Sequence, residues 1–230
     1  MRHLLCLLFL IPNLALAQSN GSRTCRILFL GAPDDAPEKL QLFDGTASQE
    51  VELPRMNLSK VYPLPAGALV IRMLTTAPAK PEEASPDAPK AAIAESLGDF
   101  YLLVSSDPSN KIAPVKLQVI DADPAKFKNG QMLWFNLTAN SVGGQVGTQK
   151  LAMTANSRTI LDAPASKSED FNVNLSFRIP GDERLHPLCE TKWQHDSRSR
   201  TVLFVINQGG SRVPRILGFP DYREPAEKKP

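Results

Sequence analysis

Nine consecutive residues, Phe171-Asn172-Val173-Asn174-Leu175-Ser176-Phe177-Arg178-Ile179, alternate apolar and polar side chains without a break. Successive side chains of an extended strand point to opposite faces, so this run lays five apolar groups on one buried face of a sheet. Wound as a helix, the same residues would spread those groups around the whole circumference. Shorter runs of strand character lie at residues 25–30, 40–43, 68–74, 100–105, 115–120, 132–137, 158–161, 201–206 and 213–217. Asp44-Gly45, Asn129-Gly130, Gly143-Gly144, Pro180-Gly181-Asp182 and Gly209-Gly210 separate them at turn positions. Together these signals predict an all-β sandwich. The one window that favours a helix is residues 89–97 (P-K-A-A-I-A-E-S-L), with Pro at its start and room for one or two turns.

The first 17 residues have the three parts of a secretory signal. Arg2 and His3 supply a positive start, residues 4–11 a short apolar core, and Ala15-Leu16-Ala17 the small residues a signal peptidase reads, so Gln18 begins the expected mature chain. Beyond this leader no apolar run approaches the roughly 18 residues needed to cross a bilayer. A composition of 42% apolar residues supports folding, and a net charge of +2 removes the strong electrostatic case for nucleic acid. The expected setting is periplasmic or secreted, with an unidentified envelope or cell-surface partner.

The mature chain reads as two small modules dividing at Asp121-Ala122-Asp123-Pro124: residues 18–122 and 123–222, followed by a disordered tail at 223–230. A single larger sandwich is the alternative. Residues 75–89 carry four prolines among small and acidic side chains, which cannot feed a sheet and predict a mobile surface loop within the first module. No internal sequence repeat is evident.

The stretch Ile27-Leu28-Phe29-Leu30-Gly31-Ala32-Pro33-Asp34-Asp35-Ala36-Pro37, then Leu40-Gln41-Leu42-Phe43-Asp44-Gly45, resembles the opening of a family of exported bacterial β-sandwich domains of unknown function. Those domains begin with a strand, an Ala-x-Pro-Asp-Ala-Pro-like turn and a second strand; here the turn holds an extra Asp. Trp134-Phe135-Asn136-Leu137-Thr138 is similar to a central strand of small exported proteins. The resemblance implies an Ig-like or transthyretin-like sandwich and brings no catalytic residues with it.

Removing the leader takes Cys6 and leaves Cys25 and Cys189, which an oxidising compartment could join by a disulfide or leave as buried thiols. Asp34, Asp35 and Glu38, with Asp44, gather carboxylates as a hard cation requires, but the Asp-x-Asp-x-Asp-Gly ladder is missing and a solvated turn accounts for them. His186, Cys189 and His195 lie close in sequence, yet a structural zinc site needs four ligands and no second pair is present. No nucleophile elbow, His-Glu-x-x-His helix or phosphate loop occurs, so no metal or cofactor is expected.

Trp134 and Trp193, with Tyr62, Tyr101 and Tyr222, could offer a flat aromatic platform to sugar rings. Trp134 lies in a run apolar on both faces and belongs to a core, which leaves Trp193 as the exposed member. Lys192, Arg198, Arg200, Arg212 and Arg215 bracket the strand at 201–206, either as a cationic edge that blocks edge pairing or as a contact for an acidic partner. Asn20-Gly21-Ser22, Asn57-Leu58-Ser59 and Asn136-Leu137-Thr138 match the glycosylation pattern, with Asn136 placed in an apolar strand. The binding candidates are therefore Trp193, His195, Arg198 and Arg200. The expected function is a non-enzymatic binding or interaction module of the bacterial envelope. The alternatives are a hydrolase with a loop-built active site and a structural envelope-assembly protein.

Overall fold

The computed structural model describes residues 23–222, so the leader and the charged tail expected from the sequence lie outside the described residues. The first eight strands are β1 (Arg23–Phe29), β2 (Lys39–Phe43), β3 (Ser48–Glu52), β4 (Tyr62–Leu64), β5 (Leu69–Leu74), β6 (Lys90–Ile93), β7 (Asp99–Ser106) and β8 (Val115–Asp121). The next eight are β9 (Met132–Asn136), β10 (Ser141–Val146), β11 (Gln149–Met153), β12 (Ser157–Leu161), β13 (Asp170–Arg178), β14 (His186–Gln194), β15 (Ser199–Ile206) and β16 (Arg215–Tyr222). They form four four-stranded sheets, ordered β4-β1-β7-β8 (sheet I), β3-β2-β5-β6 (sheet II), β12-β9-β15-β16 (sheet III) and β11-β10-β13-β14 (sheet IV).

Those orders follow one plan twice. In each set of eight, the fourth, first, seventh and eighth strands make one sheet and the third, second, fifth and sixth the other. The first and seventh strands run parallel in both halves, β1 with β7 and β9 with β15, and every other pairing is antiparallel. Among the described residues no ladder joins a strand of the first eight to one of the last eight. The molecule is thus a structural duplication joined by residues 122–131.

Alternation along each strand assigns the layers. Cys25, Ile27 and Phe29 of β1 and Phe100, Leu102 and Val104 of β7 point toward sheet II and build the first core with Leu42, Ile71 and Met73. Trp134, Leu203 and Val205 do the same toward Val173, Leu175 and Phe177 of sheet IV. The opposite faces of sheets I and III are also apolar. Leu28, Tyr101, Leu103 and Ile120 pack on Leu133, Phe135, Val202, Phe204 and Phe219 in a third core between the sandwiches. The layer order is therefore II-I-III-IV. This explains why the central strands β7, β9 and β15 read as unbroken apolar runs while β13, covered on one face, alternates strictly.

One end of the layer between the sandwiches is ionic. Arg200, 2% exposed, donates from Nε to Asp221 Oδ2 at 3.0 Å and from Nη2 to Asp99 Oδ2 at 3.1 Å. Its Nη1 donates to the carbonyls of Ala122 at 2.8 Å and Phe127 at 2.7 Å, so the linker between the halves is held by the same guanidinium. Asp221, fully buried, also accepts from Tyr101 Oη at 2.5 Å and from Arg26 Nη1. The Arg200 guanidinium lies 4.9 Å from the centre of the Phe127 ring. A buried charge cluster of this kind tolerates no missing member, because an uncompensated ion is left out of water.

Several expectations are corrected. Residues 90–93 of the expected helix are strand β6, paired antiparallel with β5 and burying Ile93; the ladder outweighs the helical propensity of the alanines. Gly143 and Gly144 do not form a turn but lie inside β10, where a Cβ at Gly144 (φ +147) would stand 2.1 Å from the Asn174 carbonyl oxygen. The hairpin turn falls at Gly147 instead, with φ +57. The last strand runs on past Leu217 to Tyr222, and β3, β4, β11 and β14 are additional strands. The segment at 75–89 is free of strand but contains a 3-10 turn, Pro81–Glu83, and buries Ala88. No disulfide joins Cys25 to Cys189: Cys25 faces the first core and Cys189 of β14 packs against the second, two sheets away.

Asp221→Asn should lower unfolding free energy by about 3–5 kcal/mol in a denaturant titration, since Arg26 and Arg200 would lose their shared carboxylate. A change below about 0.5 kcal/mol would show that these charges do not hold the sandwiches together.

Candidate functional site

β14 and β16 are the outer strands of sheets IV and III on the same side of the second sandwich. In the first sandwich the matching strands, β6 and β8, come into contact and close that side. Between β14 and β16 there is instead a cleft of about 400 Å³. Met132, Phe171, Leu203 and Ile216 form its apolar floor, and Trp193, Gln194, His195, Asp196, Ser199, Thr201 and Tyr222 line the rest.

The duplication locates the cause of the opening. In sheet I the inward residue Leu102 lies between Ile27 and Val119, and Val119 packs against the first core. At the corresponding inward position of sheet III, Leu203 lies between Trp134 and Gly218. The side chain that fills the first sandwich is missing from the second. A Cβ at Gly218 would meet Leu203 Cδ2 at 3.6 Å and Thr201 Cγ2 at 3.9 Å, ordinary contact distances, so a Cβ is accommodated at this position on the cleft wall.

Trp193 is half-buried, not displayed. Its ring stacks on Trp134 at 5.9 Å with 14° between the planes, and Phe171 meets it edge-on at 6.3 Å. This aromatic stack fixes the orientation of Trp193 at the cleft wall. His195, 5% exposed, continues the same wall past the end of β14, and its backbone N–H donates to the Glu169 carbonyl at 2.9 Å. Its ring packs on Gly130 (φ +83), where a Cβ would stand 3.4 Å from Cε1, and its buried Nε2 has no hydrogen-bond partner among the described residues.

Asp196 closes a turn around Arg198. One carboxylate oxygen accepts from the Arg198 backbone N–H at 2.9 Å and Nε at 3.1 Å, the other from Nη2 at 2.9 Å. These bonds from Arg198 hold the Asp196 carboxyl down at about 2. Ser199 Oγ donates to the Asp196 backbone carbonyl at 3.3 Å.

Of the four binding candidates, Trp193 and His195 line the cleft, and Arg198 is a contact of its Asp196. Arg200 is buried in the ionic layer between the sandwiches, and its strand β15 is central in sheet III, which corrects the reading of a cationic edge there. Among the tyrosines of the expected platform, Tyr62 and Tyr101 are buried and Tyr222 lines the cleft. His186 pairs with Asp182 at 3.1 Å at the other end of β14. Burial raises the Cys189 thiol, which disfavours the reactive thiolate. Asn136 is fully buried and donates to the carbonyls of Asn140 and Thr154. Phe171 and Gly218 line the cleft as well, neither of them a candidate from the sequence; a glycine inside the apolar run Ile216-Leu217-Gly218-Phe219 is the available signal. No known family profile matches the chain, and no curated protein matches it in sequence.

Arg198→Ala should return the Asp196 carboxyl toward the ordinary value near 3.9 in an NMR pH titration. Because the folded value is depressed, the stabilising effect of the pair is complete above about pH 4 and fades as pH falls toward about 2. A variant with the same Asp196 titration as the parent would contradict this.

Proposed function

We propose that this chain is an exported binding protein of the bacterial envelope and that it holds its ligand in the cleft between β14 and β16. The supporting observation is the departure from the duplicated plan: one sandwich is filled at Val119, the other opened at Gly218 and walled by a stacked tryptophan. A cleft with an apolar floor and a small set of polar groups on its rim is the ordinary form of a small-molecule site. The secretory pattern at residues 1–17 supports the export half of the reading. The strand plan supports the transthyretin-like expectation over the Ig-like one, since the first two strands of each half occupy opposite sheets, where A and B of an Ig domain share one.

A hydrolase is favoured by one observation, that His195, Asp196 and Ser199 line the same cleft. Binding accounts better for their geometry. The Asp196 carboxylate is aligned by Arg198, the Ser199 hydroxyl donates to a backbone carbonyl, and among the described residues neither is hydrogen-bonded to the His195 ring. Nucleophilic catalysis needs the nucleophile hydrogen-bonded to a base that a third group orients.

The test combines location and retention. Expressed from Met1 in a bacterium, the protein should appear in the periplasmic fraction with Gln18 as its first residue. Immobilised, it should retain a small molecule from envelope extract that the Gly218→Leu protein, checked for an unchanged melting temperature, does not. Intact chains in the cytosol, or equal retention by both proteins, would contradict the proposal.

A further inference from the structure

Resting on that reading of the cleft, we infer that its ligand is a neutral saccharide, bound with one ring face against Trp193. Three observations converge. The first is the aromatic wall. Trp193 is fixed from behind by Trp134 and from the side by Phe171, and Tyr222, 57% exposed, stands on the opposite strand. The C–H face of a sugar ring is apolar and weakly positive, which complements the negative face of an aromatic ring. A tryptophan held rigid loses little side-chain entropy on binding.

The second observation is the rim. Gln194, Thr201 and Tyr222 carry side-chain groups that can both donate and accept, the match required by ring hydroxyls, which do the same. A purely apolar ligand would leave these groups without bonds, at a cost in affinity.

The third observation is charge. Among the described residues Asp196 is the one carboxylate lining the cleft, and Arg198 compensates it. Of the basic residues that could draw an acidic polymer, Arg200 is committed to Asp221 and Asp99, and Lys192, Arg212 and Arg215 do not line the cleft. The lining therefore presents no uncompensated positive charge, and selects a neutral sugar over a uronic-acid or phosphorylated one. The volume of about 400 Å³ lies in the small-molecule range of roughly 300–1,000 Å³.

The experiment is isothermal titration calorimetry of the mature protein with cellotriose and chitotriose, with trigalacturonate as the acidic control and anilinonaphthalene sulfonate as the apolar one. At least one neutral trisaccharide should bind saturably, with an affinity insensitive to added salt. Gly218→Leu should weaken it at least about tenfold, and Tyr222→Phe, which removes a hydroxyl from an exposed ring, by about three- to tenfold with no change in melting temperature. Binding of trigalacturonate that falls steeply with salt, or neutral sugar binding that both variants leave intact, would overturn the inference. Binding of anilinonaphthalene sulfonate that Gly218→Leu abolishes, with no response to either trisaccharide, would overturn the saccharide and leave the cleft as the binding site. No binding of any probe would overturn both.

Discussion

The guanidinium of Arg200 is where the architecture comes together. It lies between two sandwiches with its donors directed at Asp221, Asp99 and the carbonyls of Ala122 and Phe127, and it therefore ties both halves and their linker at once. Arginine suits this position because its planar fork stays charged and delivers several fixed donors. The ions alone would not repay their removal from water; the apolar layer of Leu28, Tyr101, Leu103, Phe135, Val202 and Phe204 beside them supplies the driving force. The charges instead discriminate against slipped arrangements, since a shift along the interface would strand Asp221 between partners. That is a role in specificity more than in net stability.

From this layer the rest follows in order. Sheets I and III must be apolar on both faces, so their central strands carry continuous hydrophobic runs, while sheets II and IV keep one face for solvent. The inner faces then define two cores of the same plan, each with an open flank between its two outer strands. In the first half that flank is filled. In the second, Gly218 removes one side chain opposite Trp134 and Trp193, and the flank becomes a cleft. The same plan thus holds a closed flank in one copy and a cleft in the other, the difference lying at Val119 and Gly218.

How much of this could be read in advance depends on which residues report their surroundings locally. The alternation of β13 and the apolar runs of β7 and β15 state their secondary structure outright, and the all-β class follows. The duplication was not legible, because the matching strands share topology and not residues: Lys90-Ala91-Ala92-Ile93 occupies the place held by the nine residues of β14. Those alanines suggest a helix until β5 is there to pair with. Arg200 hides its role for a similar reason, since a charge beside a strand ordinarily marks solvent, and nothing near it in sequence reveals Asp221 on the neighbouring strand or Asp99 across the interface. Cys25 and Cys189 invite a bridge only while their separate cores are unknown. The polar flanks of Trp193 mark it as a residue near solvent, and it and His195 line the cleft. A strand read as 213–217 stops one residue short of Gly218, so its place opposite Leu203 is hidden.

The central claim is that the two sandwiches are one cooperative body, bound through the layer centred on Arg200. Differential scanning calorimetry of the mature chain tests it most directly. A single transition with calorimetric and van't Hoff enthalpies in a ratio near one is the result this structure requires. Two resolved transitions, or a van't Hoff enthalpy of about half the calorimetric value, would mean that the sandwiches unfold independently and that the layer between them does not govern the fold.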